Sequence, residues 1–193
     1  MNHFIFALLL FLHSVESQVP VLGQYFEAEV RVDIKVMLTH FRLAGIIKVD
    51  KFLPGLYANL YGDDPNNYWG KLNATVVVEP HNQTVIVWDI KNNFCTRYAG
   101  YNKTIIPDIA LPPSAKRLDD RDCQGKNCQV WRVPEPYQDV TYADIFVWGN
   151  SIQTIEAEYT GSSPKAYLTI QLDNILHIHA PTYYFRKPLI CDS

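Results

Sequence analysis

The sequence has no large excess of positive or negative charge and no long hydrophobic run. Seventeen lysines and arginines stand against 20 aspartates and glutamates in 193 residues, so the formal net charge is −3. No basic stripe is present, which argues against nucleic acid and against strongly anionic membranes as partners. No segment approaches the roughly 18 apolar residues of a membrane-crossing helix, so we expect no transmembrane anchor.

Signatures of catalysis and of metal binding are also missing. There is no G-x-S-x-G motif, and Gly161-Ser162-Ser163-Pro164 is typical of a turn. His177 and His179 share one face of a predicted strand, but no third or fourth metal ligand lies nearby in sequence. The acidic runs 63–66 and 119–122 lack the spacing of a calcium loop, so we interpret both as solvated loops and leave weak calcium binding open. We therefore expect a protein that is not an enzyme and has no resident cofactor.

A secretory leader opens the chain. Met1-Asn2-His3 precedes an uncharged apolar run over 4–12, and a more polar stretch ends near Ser17. The run is too short to cross a bilayer, so we interpret residues 1–17 as a signal peptide. Cleavage there leaves residues 18–193, enough for a single secreted, extracellular domain with its own core.

Three Asn-X-Thr sequons agree with secretion. None has proline in the middle position, so each is a candidate glycosylation site in an exposed loop. The acceptor residues are Asn73, Asn82 and Asn102.

The cysteine count is even, and all the cysteines lie in the mature part: Cys95, Cys123, Cys128 and Cys191. In an oxidising compartment this predicts two disulfide bonds. One pairing closes a small polar loop between Cys123 and Cys128 and leaves Cys95 with Cys191. The alternative joins Cys95 to Cys123 or Cys128. Zinc is disfavoured, because no second closely spaced cysteine pair exists.

Strict alternation of apolar and charged residues over 26–36 is typical of a long strand with one dry face. The same alternating pattern recurs along the chain. Gly45 is a candidate bulge or bend, and residues 79–83 are a candidate hairpin turn. We predict further strands at 41–49, 56–60, 74–78, 84–89, 94–99, 129–133, 141–148, 152–159, 166–172 and 176–179.

The middle of the chain differs from this pattern. Residues 105–113 contain three prolines and cannot form a central strand, so they form a short helix or an ordered loop. Residues 117–126 are highly polar. We therefore predict a mainly β fold with little helix, in which one antiparallel sheet curls strongly and closes partly or fully.

A curled sheet of this size tends to leave an apolar interior, which side chains fill or a ligand occupies. The aromatic residues that could line it are Trp69, Trp88, Trp131, Tyr142, Phe146, Trp148, Tyr159, Tyr167, Tyr183 and Tyr184. As candidates for a pocket that binds a hydrophobic or lipid ligand we select Phe26, Val30, Ile34, Trp88, Trp148 and Tyr159.

Four features of the mature chain resemble the secreted ependymin-related family, which is similar in fold to bacterial lipoprotein carriers of the LolA type. The strand 26–36 is followed by Gly45-Ile46-Ile47-Lys48-Val49-Asp50, and Val85-Ile86-Val87-Trp88-Asp89 leads to Asn93-Phe94-Cys95-Thr96. Cys123 and Cys128 stand beside Trp131, and the chain ends with Tyr183-Tyr184-Phe185-Arg186-Lys187-Pro188-Leu189-Ile190-Cys191. The family usually carries a cysteine near the mature N-terminus, and 18–36 has none. A LolA-like sister group is therefore an equally good match.

The resemblance implies a half-open antiparallel barrel with a short helical plug and a hydrophobic pocket. It implies a lipid-like ligand, calcium as a further ligand, and a second copy of the chain as a partner in a homodimer. The competing hypothesis is a matrix, adhesion or secreted-fluid glycoprotein with a filled core, which the clustered sequons and the many tyrosines favour.

Overall fold

One antiparallel sheet contains the eleven strands of the part of the chain that the structure describes. The structure is a computed structural model, and it describes residues 23–53, 55–63, 71–79, 84–98, 111–137, 140–160 and 165–192. The strands are β1 (Tyr25–Val36), β2 (Thr39–Asp50), β3 (Gly55–Asp63), β4 (Lys71–Val78), β5 (Val85–Asp89), β6 (Phe94–Tyr98), β7 (Lys116–Cys123), β8 (Lys126–Tyr137), β9 (Val140–Trp148), β10 (Ser151–Tyr159) and β11 (Ala166–Leu176).

The sheet is an up-and-down ring of strands with one opening. Its order is β6-β5-β4-β3-β2-β1-β11-β10-β9-β8-β7, so strands that follow each other in sequence pair, and β1 also pairs with β11. The exception is β6 and β7, which are consecutive but lie at opposite edges. The strongly curved, half-open barrel that the strand pattern predicted is therefore confirmed.

The opening coincides with the proline-rich segment. Proline lacks the N–H that a ladder requires, so residues 105–113 cannot join β6 to β7 as a paired hairpin. Within that segment Leu111 is described, and it is only 1% exposed and belongs to the hydrophobic core. The predicted helical plug otherwise falls on residues 105–110, outside the described part, as does the predicted signal peptide.

Irregular register helps the sheet to curl. Extra residues interrupt the ladder between Glu27 and Glu29, between Ile152 and Thr154, and between Pro134 and Tyr137. Such bulges bend a strand and increase its twist. Gly45 is not among them, because its pairing with Val30 and with Leu60 is regular. It is a site of close approach instead, since a Cβ there would overlap the carbonyl oxygen of Asn59.

Two predictions for the second half of the chain were wrong. The polar run that includes 119–122 is not a loop but part of β7, an edge strand with an exposed polar surface. Charged residues are common on edge strands, where they discourage pairing with other chains. The segment 176–179 is not a separate strand, because β11 continues to Leu176 and the chain then leaves the sheet.

Helix is confined, in the described residues, to two short 3₁₀ turns near the C-terminus, Thr182–Phe185 and Leu189–Asp192. None of the helical segments that the structure describes has the length and apolar character to span a bilayer. The first turn contacts β3 and β4, and the second contacts β6. The C-terminal segment therefore lies on the outer face of one half of the sheet.

Candidate ligand-binding site

The inner face of the curved sheet is a continuous apolar lining. Alternate residues of each long strand point to it, as the period of two requires. In β1 these are the even-numbered residues, and their cross-strand partners in β2 and β11 are apolar as well, except Thr39 opposite Val36. The strand residues buried on this face are Phe26, Ala28, Val30, Val32, Ile47, Val49, Leu56, Ala58, Leu60, Val76, Val78, Val85, Val133, Val140, Ala143, Ile145, Val147, Ile155, Ala157, Leu168, Ile170 and Leu172.

A small cleft opens from this lining toward solvent, at the end of the sheet where β1 begins and β11 ends, and its volume of about 10 Å³ is room for about one water molecule. Its walls combine apolar and polar side chains. The apolar wall consists of Phe26, Ile152, Leu172 and Ile175, and the rim consists of Gly23, Asn150, Ser151 and His177.

Two backbone features shape the rim. The N–H of Gly23 donates to the carbonyl of Asn150 over 2.9 Å, which ties the chain before β1 to the turn between β9 and β10. Gly149 in that turn has a φ of +62°, a conformation that favours glycine. At Gly23 any Cβ would overlap the ring of His177, so only glycine lets the imidazole close the rim.

Ser151 and His177 form the polar centre of the rim. Their Oγ and Nε2 atoms are 2.8 Å apart, and Nδ1 of His177 lies 3.4 Å from the carbonyl oxygen of Tyr25. A hydrolytic Ser-His pair normally has a carboxylate behind the imidazole and an oxyanion hole in front of it. Here a backbone carbonyl takes the place of the carboxylate. The arrangement therefore suits the binding of a polar group better than nucleophilic attack.

The candidates chosen from sequence separate into two sets. Phe26, Val30, Ile34 and Tyr159 lie on the inner face, and Phe26 also lines the cleft. Trp88 and Trp148 lie on the opposite face, because they alternate with Val87 and Val147, which belong to the inner core. The structure therefore places these two tryptophans away from the inner face, which the sequence could not show because the strand register was unknown.

The other cleft residues were not singled out from sequence. The turn at 149–150 between two predicted strands was a local signal for Asn150 and Ser151. Nothing in the sequence indicates that this turn lies beside His177, because the contact depends on β10 and β11 pairing in the sheet.

The two histidines after β11 do not face one metal site. His179 leaves the cleft and places Nδ1 2.7 Å from the carboxylate of Asp50, while its ring stacks on Tyr25 with centroids 3.8 Å apart. Asp50 is fully buried and also accepts from the backbone N–H groups of Phe52 and Leu53. Across the described ranges, no three His, Cys, Asp or Glu side chains are grouped as a metal site would need.

A second cluster lies on the outer face of β7 to β10. Asp144 is buried and accepts from Arg121 over 2.8 Å and from Arg132 over 2.7 Å and 2.8 Å. Burial by itself raises the pKa of this carboxyl, but the hydrogen bonds from the two guanidinium groups outweigh it and hold the pKa below its ordinary value. The hydrogen bond with Asp144 in turn raises the pKa of Arg132. Arg121 also lies 4.0 Å from the carboxylate of Glu156, so two guanidinium groups face two carboxylates and we interpret the cluster as structural.

Both disulfides are formed in the structure, Cys95 with Cys191 and Cys123 with Cys128. The long-range bond spans 96 residues and fastens the C-terminal segment to β6. A guanidinium N–H of Arg97 donates to the carbonyl of Cys191 beside it. The short-range bond joins the ends of β7 and β8 across their turn.

Of the three sequons, one lies in the described part. Asn73 is exposed, but it belongs to β4 and not to a loop. Asn82 and Asn102 fall outside the described residues. Glycosylation at all three stays a prediction.

No protein-family model matches the sequence, and no curated protein matches it. Among solved structures the chain is similar to an uncharacterized conserved protein from Thermus thermophilus, with a TM-score of 0.55 and 8% identity over 87% of this chain and 88% of that one.

Two further solved structures are similar at lower scores. One is a DUF1329 family protein from Desulfovibrio piger, with a TM-score of 0.42 and 10% identity over 85% of this chain and 90% of that one. The other is a domain from Vibrio parahaemolyticus described as an outer membrane lipoprotein-sorting protein, with a TM-score of 0.36 and 8% identity over 80% and 85%. Because both scores are below 0.5, only the Thermus likeness bears on the fold. At 8% identity it shows a shared fold and nothing about a ligand.

Proposed function

We propose that this protein is a secreted, glycosylated, non-enzymatic carrier that binds a hydrophobic, lipid-like ligand. The observation that supports the proposal is the continuous apolar inner face, which ends in a cleft with a polar rim. An amphipathic ligand is divided in the same way, into an apolar part and a polar part. Its hydrocarbon part would lie against Phe26, Ile152 and Leu172, and its polar head would meet Ser151 and His177.

Apolar burial would supply most of the affinity. Each methylene group that leaves water contributes about 0.8 kcal/mol. The polar rim adds direction, because its hydroxyl and imidazole can exchange their mutual hydrogen bond for bonds to a head group. The cleft in this structure has room for about one water molecule, far less than the roughly 300–1,000 Å³ of a typical small-molecule pocket. We therefore treat it as the mouth through which a chain enters, with the inner residues moving apart to admit it.

The proposal is tested on protein secreted from eukaryotic cells and purified without detergent. Lipids are extracted and identified by mass spectrometry, and the delipidated protein is titrated with a fluorescent fatty-acid probe. Co-purified lipid and saturable probe binding would support the carrier. Absence of both would reject it. Loss of mass on enzymatic deglycosylation tests the glycans in the same sample.

A pair of variants locates the site. Ile175 is partly buried in the cleft, so Ile175→Trp should narrow the cleft and weaken probe binding at least tenfold. Ile178 is 48% exposed and follows three residues later, so Ile178→Trp is the matched control with unchanged binding. Equal binding by both variants would place the probe elsewhere.

A second candidate function is a structural glycoprotein of the matrix or of a secreted fluid. Dense packing favours it, because the residues of the inner cluster are at most 8% exposed. Such a protein would yield no lipid and would act through its surface. Pull-downs from extracellular fluid that recover a matrix component reproducibly, together with failed probe binding, would favour this function over the carrier.

A further inference from the structure

The turn between β1 and β2 presents two large apolar side chains to solvent. Leu38 is fully exposed at 103%, and Met37 is 78% exposed. They form the two-residue tip of a long hairpin, which the pair Val36 and Thr39 closes. Exposed apolar side chains are common singly, but two adjacent ones at the tip of a hairpin call for an explanation.

Local structure does not provide that explanation. Met37 has a φ of +53°, a conformation in which glycine or asparagine is favoured at the first turn position. Of the other two-residue hairpin turns in the described residues, the one between β9 and β10 has Gly149 at this position, and the one between β7 and β8 has the polar residue Gln124 with a φ of +57°. The tip thus keeps a strained methionine and an exposed leucine where turn chemistry favours small or polar residues. Strain that persists at an exposed site points to a function for the side chains.

The stem of the hairpin carries polar and cationic groups just behind the tip. Lys35 pairs in register with His40 on β2 and with Tyr167 on β11, and Tyr167 is 48% exposed. Lys35 itself is exposed and forms no ion pair within the described residues. Further along, Arg42 is exposed, and its Nε lies 3.3 Å from the carboxylate of Asp33.

The spacing of these groups matches a bilayer interface. Met37 follows Lys35 by two residue steps, which is about 7 Å along an extended chain. Apolar anchors at an interface enter about 5–10 Å, so Lys35 and Tyr167 would then stand among the head groups. Lysine that reaches outward and tyrosine at head-group depth are the usual neighbours of such an anchor.

We propose that the Met37–Leu38 tip inserts into the surface of a lipid bilayer. A protein partner fits less well, because two side chains fall far short of the roughly 1,000 Å² that a specific protein interface buries. A bilayer requires no matching pocket, since each apolar side chain gains by entering it independently. The net charge of −3 means that insertion is driven by the apolar tip and needs no anionic lipid. The inference does not depend on whether the inner face holds a ligand.

The test is flotation of the full-length secreted protein with phosphatidylcholine vesicles, with and without added phosphatidylserine. We expect binding to both, without a preference for phosphatidylserine, because the net charge is −3 and the apolar tip supplies the attraction. The double variant Met37→Gly/Leu38→Ser should lose at least tenfold in binding, while its thermal midpoint stays equal or rises because the turn is relieved of strain. Leu38→Gln should lose binding several-fold without altering the turn. Gln124→Ser, at a polar turn with a φ of +57°, is the matched control and should bind as the parent does.

Failure of the parent protein to float with either vesicle would overturn the proposal. Undiminished vesicle binding by Leu38→Gln would overturn it as well. This second test remains valid even if the double variant fails to fold. The cleft variant Ile175→Trp should still float. A loss of probe binding with retained flotation therefore separates the carrier proposal from membrane docking. Capture of a soluble protein that requires Leu38, without vesicle binding, would replace the bilayer with a protein partner.

Discussion

At the scale of single residues, the carboxylate of Asp144 is the clearest case of a buried charge that its neighbours must stabilise. It is 2% exposed and lies between two guanidinium groups on an otherwise solvated face. A buried charge is tolerated only when it is paired and hydrogen bonded, and both conditions hold here. The arginines keep about two fifths of their side-chain surface in water, with 44% exposure for Arg121 and 41% for Arg132. They therefore lose little solvation in return.

We predict that Asp144→Asn lowers the free energy of unfolding by about 1–3 kcal/mol at neutral pH, because three charge-assisted hydrogen bonds are weakened or lost. The pKa of Asp144 is lower in the folded state than in the unfolded state. Its stabilisation is therefore complete above the ordinary pKa of about 4 and is lost as the pH falls through the lowered folded value.

Urea unfolding at a series of pH values measures this effect. The difference between parent and Asp144→Asn should shrink toward zero as the solution is acidified. Asp120→Asn is the control, because Asp120 is exposed and pairs with Arg117 within the same strand. It should change stability by less than about 0.5 kcal/mol. A constant difference across pH would contradict the assignment.

At the scale of elements, the C-terminal segment acts as a cover for the outer face of β3 to β6. Phe185 is 1% exposed and its ring occupies the space that a side chain at position 55 would need. Beside it, Val77 and Ile86 are buried although they point away from the inner core. The ring of Tyr184 meets Tyr57 edge-on at 5.0 Å. Half of the sheet therefore has apolar contacts on both faces, and the Cys95–Cys191 bond holds the outer layer in place.

We predict that the double variant Cys95→Ser/Cys191→Ser is less stable than Cys123→Ser/Cys128→Ser. The first bond closes 96 residues and the second closes five. In the chain-entropy account this difference in loop length is worth about 2.6 kcal/mol. Chemical denaturation in non-reducing buffer gives the comparison, and double substitution avoids free thiols. The first variant should also bind a hydrophobic dye as Val77 and Ile86 become accessible. Equal stability of the two variants would contradict this role for the C-terminal segment.

At the scale of the whole molecule, the decisive feature is a ring of strands that does not close. The sheet could close only if β6 paired with β7, and these two strands lie at its opposite edges. Leu111 from the proline-rich connection between them enters the core. An open ring can change its curvature more easily than a closed one, because no hydrogen-bonded seam must break. This property suits a container that admits a flexible chain.

We predict that lipid raises the thermal stability of the parent protein. A ligand that binds only the folded state at a hundred times its Kd adds about 2.7 kcal/mol. Scanning calorimetry of delipidated protein, before and after addition of fatty acid, should show the rise. Ile178→Trp should show it too, whereas Ile175→Trp should not. An unchanged midpoint in the parent at saturating lipid would count against the carrier.

The sequence by itself determined most of the strands and which residues of each strand share a face. It predicted a half-open sheet, because alternation with a period of two is a local property that survives any tertiary arrangement. It failed at β7, where an edge strand can be polar on both sides and so lacks the alternating signal.

Only the tertiary structure decided which face is the inside. Trp88 and Trp148 are as apolar as their neighbours, and register alone places them on the outer face. The cleft brings the chain before β1 together with the β9–β10 turn and the end of β11, both of which lie far along the sequence from it. The C-terminal cover likewise depends on a bond across 96 residues. Contacts of this range arise from strand pairing and burial across the whole chain, and no local pattern encodes them.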